Sequence, residues 1–311
     1  MVKRLTGQVA VVTGGGRGIG RYVSLELAKA GARVVVDDLG GAVDGTGVDR
    51  QVAEWVVDEI IETGGEAIPC FESVSTKEGG KAIIAKAIEN FGRIDIVCHV
   101  AGILRDRMVF NMTEEEWDAV IAVHLKGAFN VTRHAIPHMI NQHHGRIIIF
   151  SSGSGLGNSG QANYSSAKEA QVGFVRSLAR ELGPYGITAN AVYPGGSTRM
   201  TGTIPDSTRE LRTQRGITGG GAMAGRVESV RTEEILDPEN NAAKTVFLCT
   251  DEAANVNGQV IGTSGWVMSL YGSRHVNRAI SKRSRWSLDE LDQLMPPAIT
   301  GALINPAPPS S

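Results

Sequence analysis

A tyrosine and a lysine lie four residues apart in the stretch NYSSAKEA, residues 163–170. On a helix, positions four apart share one face, so Tyr164 and Lys168 would project in the same direction. A phenol has an ordinary pKa of about 10 and is a poor base near neutrality. A neighbouring ammonium favours the phenolate, so the pair could remove the proton of a substrate hydroxyl. Taken alone, the same spacing is also common among residues that only pack.

A glycine-rich stretch near the start of the chain has the chemistry of a phosphate site. TGGGRGIG, residues 13–20, follows a short apolar run and opens a pattern with helical spacing. A pyrophosphate must approach the backbone at a helix N-terminus, and glycine leaves room for that approach. A plain tight turn is the alternative, but the place between strand and helix favours a dinucleotide site. The expected lining residues are Gly14, Gly16, Arg17, Gly18, Ile19 and Gly20.

The second apolar run ends in two acids, Asp37 and Asp38, which bear on the choice of nucleotide. A carboxylate at this place can accept hydrogen bonds from the adenosine ribose and repel a 2′-phosphate. No arginine follows within Leu39–Gly41, although Arg17 in the glycine turn could hold such a phosphate. We therefore expect NAD rather than NADP. A solvated loop acid is the alternative for either aspartate alone.

Short apolar runs alternate with helical patterns along most of the chain. This alternation predicts an α/β fold, a doubly wound parallel sheet of the Rossmann type with helices on both faces. The longest helical pattern runs from Glu114 to Ile140 and opens with a capping box of Thr113 and Glu116. Two segments break the alternation: residues 195–237, interpreted as a lid, and residues 266–311, interpreted as a C-terminal extension. We expect a single catalytic domain over residues 1–265.

Composition and charge exclude several classes of protein. The chain has 311 residues and a net charge of −2, so no strong field would attract nucleic acid or an acidic membrane surface. The first apolar run is short and ends in glycines, which is not typical of a signal peptide or a membrane span. The three cysteines are isolated within apolar runs, which favours buried thiols and a cytoplasmic location. The histidines between residues 134 and 144 lack an ordered ligand set, so we expect no metal site.

TGGGRGIG together with YSSAK resembles the short-chain dehydrogenase/reductase family over about residues 7–265. The stretches VVVDDLGG, AGILRDRM and GNSGQANYSSAK are similar to the 3-hydroxyacyl-CoA dehydrogenase unit of peroxisomal multifunctional enzyme type 2. The hydratase and sterol-carrier parts of that enzyme have no counterpart here, so we expect a stand-alone dehydrogenase. The resemblance implies hydride transfer between NAD and a secondary alcohol or ketone, with a fatty or steroid-derived 3-hydroxyacyl-CoA as the expected substrate.

Two other functions stay open at this point. A hydroxysteroid dehydrogenase or a generic carbonyl reductase would share the same fold and cofactor. A non-catalytic cofactor-binding protein is the alternative from a different class. That class predicts a missing tyrosine or lysine, and this sequence retains Tyr164 and Lys168.

The resemblance also implies roles for particular residues. It makes Ser152, Tyr164 and Lys168 the catalytic set, in which the serine hydroxyl stabilises the charge that develops on the substrate oxygen. Ser151 is the alternative serine, because the loop before Tyr164 is one residue short for the family. His124 replaces the asparagine that the family usually has in its long helix. The implied cofactor contacts are Asp38, Ser73, Val74, Ala101, Gly102, Tyr164, Lys168, Pro194, Gly195 and Thr198.

The resemblance further implies a homodimer, because the long helices of the family pair across a two-fold axis; a tetramer is also possible in this family. The C-terminal extension carries several basic residues, including Arg278 and Lys282. They would face solvent or another subunit, or else meet the phosphates of an acyl-CoA.

Overall fold

A single sheet of eight strands forms the centre of the computed structural model, which describes residues 3–197, 233–301 and 303. The strands are β1 (Val9–Thr13), β2 (Arg33–Asp37), β3 (Glu66–Cys70), β4 (Ile96–His99), β5 (Gly145–Phe150), β6 (Ile187–Tyr193), β7 (Val260–Gly262) and β8 (Ser269–Leu270). Their order is β3-β2-β1-β4-β5-β6-β7-β8, and only the last pair is antiparallel. The predicted doubly wound parallel sheet is therefore confirmed.

Helices cover both faces of this sheet. They are α1 (Gly18–Lys29), α2 (Gln51–Glu62), α3 (Lys77–Phe91), α4 (Glu114–Ile121), α5 (Gly127–Gln142), α6 (Ala162–Leu182), α7 (Ala242–Phe247) and α8 (Leu288–Met295). Successive side chains of a strand point to opposite faces, so Val9 and Val11 share a core with α3, α5 and α6. Ala10 and Val12 pack on the other side against α1, α2 and α7. Among the described residues, none of the helices has the length and apolar character needed to cross a membrane.

The long helical stretch is interrupted where the sequence predicted one helix. Its N-terminus has the expected capping box of Thr113 and Glu116. Between α4 and α5, however, residues 122–126 form a π-helical turn that carries the buried His124. A π turn accommodates one extra residue and is frequent at functional sites. The spacing of apolar residues does not reveal a single inserted residue, which is why the break was missed.

The strands of a parallel sheet bring their carboxyl ends to one edge, and ligands of such folds bind there. Here that edge is formed by the ends of β1, β2, β4, β5 and β6. The loop after β6 is fixed there by Asn241, a fully buried side chain. Its amide donates to the Gly195 carbonyl at 2.8 Å and its oxygen accepts from the Thr263 hydroxyl at 2.7 Å. The edge is therefore held rigidly on the β6 side.

The segment after Gly265 continues the sheet through β8 and then forms α8. Arg274 pairs with Glu169 of α6, whereas two other cations have partners within the segment itself. Lys282 lies 2.5 Å from the Glu290 carboxylate, and Arg278 donates to the Ile299 carbonyl at 3.2 Å. Residues 198–232 of the expected lid, with Thr198, lie outside the described residues. The division into a domain, a lid and an extension stays a prediction.

Candidate active site

The glycine turn joins β1 to α1 at the carboxyl edge of the sheet. A Cβ on Gly14 would lie 2.7 Å from the Ala101 backbone, and one on Gly20 would lie 1.9 Å from the Gly14 carbonyl oxygen. Only glycine fits at either place. Among the described residues, no side chain caps the N-terminus of α1. The first amides of that helix are therefore open to an anion in the cleft.

The two acids at the end of β2 face different surroundings. Asp38 accepts hydrogen bonds from the Gly16 amide at 2.9 Å and the Gly40 amide at 2.7 Å, which places its carboxylate beside the glycine turn. Asp37 is buried and accepts from the Glu72 amide at 3.1 Å. Its burial raises the pKa of Asp37 to about 7. Asp38 is thus the acid whose carboxylate lies beside the glycine turn, where a ribose could meet it.

One continuous cleft of about 950 Å³ runs along the carboxyl edge of the sheet. It brings together most of the residues that the sequence predicted for the site. These are Gly14, Arg17, Gly18, Ile19, Gly20, Asp38, Ser73, Val74, Ala101, Gly102, Ser152, Tyr164, Lys168, Pro194 and Gly195. Gly16 lies behind the wall and contributes its amide to Asp38.

The two strand-end serines have different partners. Ser151 is buried, and its hydroxyl donates to the Lys168 carbonyl at 2.5 Å, so it fastens the end of β5 to α6. Ser152 lines the cleft, and its hydroxyl hydrogen-bonds the phenol of Tyr164. The Ser152 oxygen also accepts from the Ser154 amide at 3.1 Å. The geometry therefore favours Ser152, the preferred candidate, as the serine that meets a substrate oxygen.

Tyr164 and Lys168 project together from the first two turns of α6. The ammonium of Lys168 lies 5.3 Å from the centre of the Tyr164 ring and donates to the Phe150 carbonyl at 2.5 Å. Burial lowers the pKa of Lys168 to about 7, because a charged ammonium loses its hydration there. The buried Lys168 is thus held close to the partly buried Tyr164.

The pKa of Tyr164 differs from the expectation that a nearby lysine lowers it. Burial raises the pKa of the phenol to about 12; the hydrogen bond from Ser152 opposes this rise, and the charge of Asp106 adds to it. Desolvation of the phenolate is therefore the largest influence on this pKa. The protein alone does not make Tyr164 a base near neutrality.

His124 supports the site from the π-helical turn. Its Nε2 lies 2.8 Å from the Ile103 carbonyl and 3.1 Å from the Ile103 amide, and its ring meets the Tyr164 ring edge-on at 5.1 Å. A Cβ on Gly102 would lie 2.3 Å from the imidazole. Burial and the charge of Lys168 hold the pKa of His124 well below its usual range, so the ring is neutral. The histidine thus fixes the wall of the cleft opposite Tyr164.

Asn163 is a positioning residue that the sequence reasoning missed. Its amide donates at 3.0 Å to the carbonyls of both Arg105 and Glu116, and its oxygen accepts from the Tyr164 amide at 2.7 Å. It therefore connects the loop after β4 and the helix α4 to the backbone of Tyr164. The signal in the sequence that could have indicated this role is an asparagine in the first turn of a helix, directly before Tyr164.

Comparison with known proteins identifies the family of this chain. The family model for short chain dehydrogenases matches residues 8–209. The chain belongs to the short-chain dehydrogenase family. A solved short chain dehydrogenase from Mycobacterium avium superimposes with a TM-score of 0.80 at 37% identity and covers 98% of each chain. The family expected from the sequence is confirmed.

Two curated relatives bear on the branch of the family. Peroxisomal multifunctional enzyme type 2 of Mus musculus is 37% identical over 91% of this chain, which spans 35% of that longer enzyme. Hydroxyacyl-CoA dehydrogenase ChsB1 of Mycobacterium tuberculosis is 36% identical and covers 92% of this chain and 87% of its own length. The similarity to multifunctional enzyme type 2 is thereby confirmed.

As a short-chain dehydrogenase, the chain is an oxidoreductase, and the Rossmann-type fold of the family implies a nicotinamide nucleotide as its cofactor. The residues present fit such a group. Gly14 and Gly20 form a cradle that any Cβ would fill, and the amides at the start of α1 are available for a pyrophosphate. Asp38 stands beside that turn as a partner for ribose hydroxyls.

The buried ammonium of this short-chain dehydrogenase makes a testable difference to its stability. Lys168 has a folded pKa of about 7, far below its value of about 10.4 in an unfolded chain. Between these values the unfolded state binds more protons, so the folded state gains stability as the pH rises. Between pH 7 and pH 9 we expect wild type to gain about 2 kcal/mol over the Lys168→Met variant.

Urea unfolding without cofactor at pH 7 and pH 9 measures this difference. Lys86→Met, which removes an exposed lysine from α3, is the matched control and should follow wild type at both pH values. Parallel pH dependence in wild type and Lys168→Met would show that the buried lysine keeps an ordinary pKa.

Proposed function

We propose that this chain is an NAD-dependent dehydrogenase that acts on a secondary alcohol, with 3-hydroxyacyl-CoA thioesters as its substrate class. A single observation carries the proposal. Ser152, Tyr164 and Lys168 lie in the same cleft as Asp38 and the glycine turn. A dinucleotide held at the turn can reach the hydroxyl-bearing residues without leaving that cleft.

The residues of the chain account for the movement of the proton. Tyr164 takes the proton of the substrate hydroxyl as a general base, and Ser152 donates a hydrogen bond to the same oxygen. Lys168 stabilises the phenolate through its charge, since an ammonium 5.3 Å from the ring favours the ionised form. When bound, an oxidised nicotinamide supplies the hydride acceptor and a second positive charge, which favours the phenolate further. Lys168 and a bound oxidised nicotinamide would thus act together on the charge of Tyr164.

Asp38 supports NAD over NADP. Its carboxylate is fixed by two backbone amides beside the glycine turn, where it can accept from ribose hydroxyls. A 2′-phosphate at the same place would meet a negative charge.

The relatives support the substrate class. One relative is named a hydroxyacyl-CoA dehydrogenase, and the match covers 87% of its length. The other is a peroxisomal multifunctional enzyme. A hydroxysteroid dehydrogenase or a carbonyl reductase would use the same Ser152, Tyr164 and Lys168. The substrate therefore has to be decided by assay.

Assembly and location form part of the same proposal. Phe129 of α5 is exposed and lies 6.5 Å, between ring centres, from the partly buried Phe174 of α6; such apolar side chains suit a homodimer. The three cysteines are free and buried, which fits a reducing cytoplasm.

The two serines give a matched pair of variants. Ser152→Ala removes the hydroxyl that meets Tyr164, so we expect kcat to fall about 100-fold with little change in stability. Ser151→Ala removes a buried bond to the Lys168 carbonyl, so we expect a loss of about 1 kcal/mol in unfolding free energy and a smaller loss of kcat. Steady-state kinetics and urea unfolding of both variants provide the two readouts. A larger loss of kcat in Ser151→Ala would reverse the assignment.

A substrate panel tests the proposed function directly. Purified protein is assayed for reduction of NAD and of NADP with 3-hydroxyacyl-CoAs of short, long and steroid-derived acyl groups. CoA-free secondary alcohols and hydroxysteroids serve as the comparison. We expect the highest kcat/KM with NAD and a 3-hydroxyacyl-CoA. Preference for a CoA-free alcohol would favour the alternative function, and preference for NADP would overturn the cofactor assignment.

A further inference from the structure

Arg17 is the cation of the glycine turn, and its side chain is already engaged. One guanidinium nitrogen lies 3.6 Å from the Asp49 carboxylate, and another donates to the Gly41 carbonyl at 3.4 Å. The side chains of Arg17 and Asp49 are 35% and 43% exposed, so solvent and ligands can reach the pair. Asp49 and Gly41 both lie in the loop between β2 and α2, which begins at Asp38.

The backbone holds Asp49 in this place. Its amide donates to the Leu39 carbonyl at 2.8 Å, and its carboxylate accepts from the Gln51 amide at 3.2 Å. Gly40 has a φ of +72°, and a Cβ there would lie 2.0 Å from the Asp49 carbonyl oxygen. The two ends of the loop between β2 and α2 are therefore pressed together. Asp49 is fixed as a neighbour of the turn that carries Asp38.

Other cations near the start of α1 and α2 are directed elsewhere. Arg21 is bound to the Glu59 carboxylate at 2.6 Å, and Arg50 lies over the Phe71 ring at 5.2 Å. Arg17 is thus the guanidinium best placed to meet a phosphate on the ribose that Asp38 would bind. Asp38 and Asp49 contribute two negative charges there against the one positive charge of Arg17.

We infer that Asp49 is a specificity-determining residue that disfavours NADP by holding and neutralising Arg17. The inference rests on the proposed function, in which Asp38 binds the ribose of NAD. A 2′-phosphate is a strongly charged anion that binds best to an unpaired guanidinium. In this chain the guanidinium already has a carboxylate partner, and that carboxylate also repels the phosphate. Cofactor selectivity is therefore shared between Asp38 and a residue eleven positions further along the chain.

Asp49→Asn is the informative variant, because an asparagine oxygen can still accept from the Gln51 amide. Binding of NAD⁺ and NADP⁺ to the full chain is measured by isothermal titration calorimetry, which requires no substrate. We expect the ratio of Kd for NADP⁺ to Kd for NAD⁺ to fall by about two- to fivefold, since an exposed ion pair has a modest strength. The Kd for NAD⁺ should change less than about twofold.

Three further variants separate the Arg17 pair from a general effect of charge. Asp49→Glu retains the carboxylate and should keep the wild-type ratio. Glu54→Gln removes one exposed negative charge from the first turn of α2 and should also keep it. Adding Arg17→Gln to Asp49→Asn should abolish the gain in NADP⁺ binding, because the released guanidinium is then missing. Asp49→Ser, whose hydroxyl can also accept from an amide, replaces Asp49→Asn if that variant fails to fold.

The outcomes distinguish this inference from the function on which it rests. Wild type that does not bind NAD⁺, or that prefers NADP⁺, overturns the proposed cofactor. Wild type that prefers NAD⁺, with an unchanged ratio in Asp49→Asn, overturns only the role of Asp49. An equal fall in Glu54→Gln, or a gain that survives Arg17→Gln, also overturns it.

Discussion

The proposed chemistry of this protein depends on a partly buried phenol that lies beside a buried ammonium. Lys168 donates to a backbone carbonyl, and burial brings its pKa down to about 7. Burial also raises the pKa of Tyr164 to about 12. Both groups are therefore pushed toward their neutral forms. A positive charge that arrives with the oxidised cofactor would favour the phenolate, so the pair is suited to become reactive only when the cofactor is in place.

The rest of the fold keeps these two groups where a cofactor can reach them. The parallel sheet sets the glycine turn and the end of β5 along one edge. Ser151 fastens that strand to α6, which leaves Ser152 to meet the phenol. Asn163 and His124 connect the first turn of α6 to the opposite wall of the cleft. These polar groups therefore fix the position of Tyr164 relative to the glycine turn.

The sequence was sufficient for features that depend on local signals. Apolar runs and glycine turns predicted the sheet, and the spacing of Tyr164 and Lys168 predicted a shared helical face. Other features depend on contacts between distant segments. Neighbouring strand residues point to opposite faces, so the choice between Ser151 and Ser152 depends on how β5 packs on α6. The π-helical turn at His124 and the pKa of Tyr164 arise from packing and burial, which the order of residues does not display.

The pKa of Tyr164, measured with and without cofactor, tests this account most directly. Protein labelled with ¹³C at tyrosine Cζ would be titrated by NMR, and Tyr164 would be identified among the five tyrosines by its absence in Tyr164→Phe. We predict ionisation near pH 12 in the free protein, and at a markedly lower pH with NAD⁺ than with NADH. One and the same midpoint in all three states would contradict the account, because the cofactor would then supply no charge that the phenol needs.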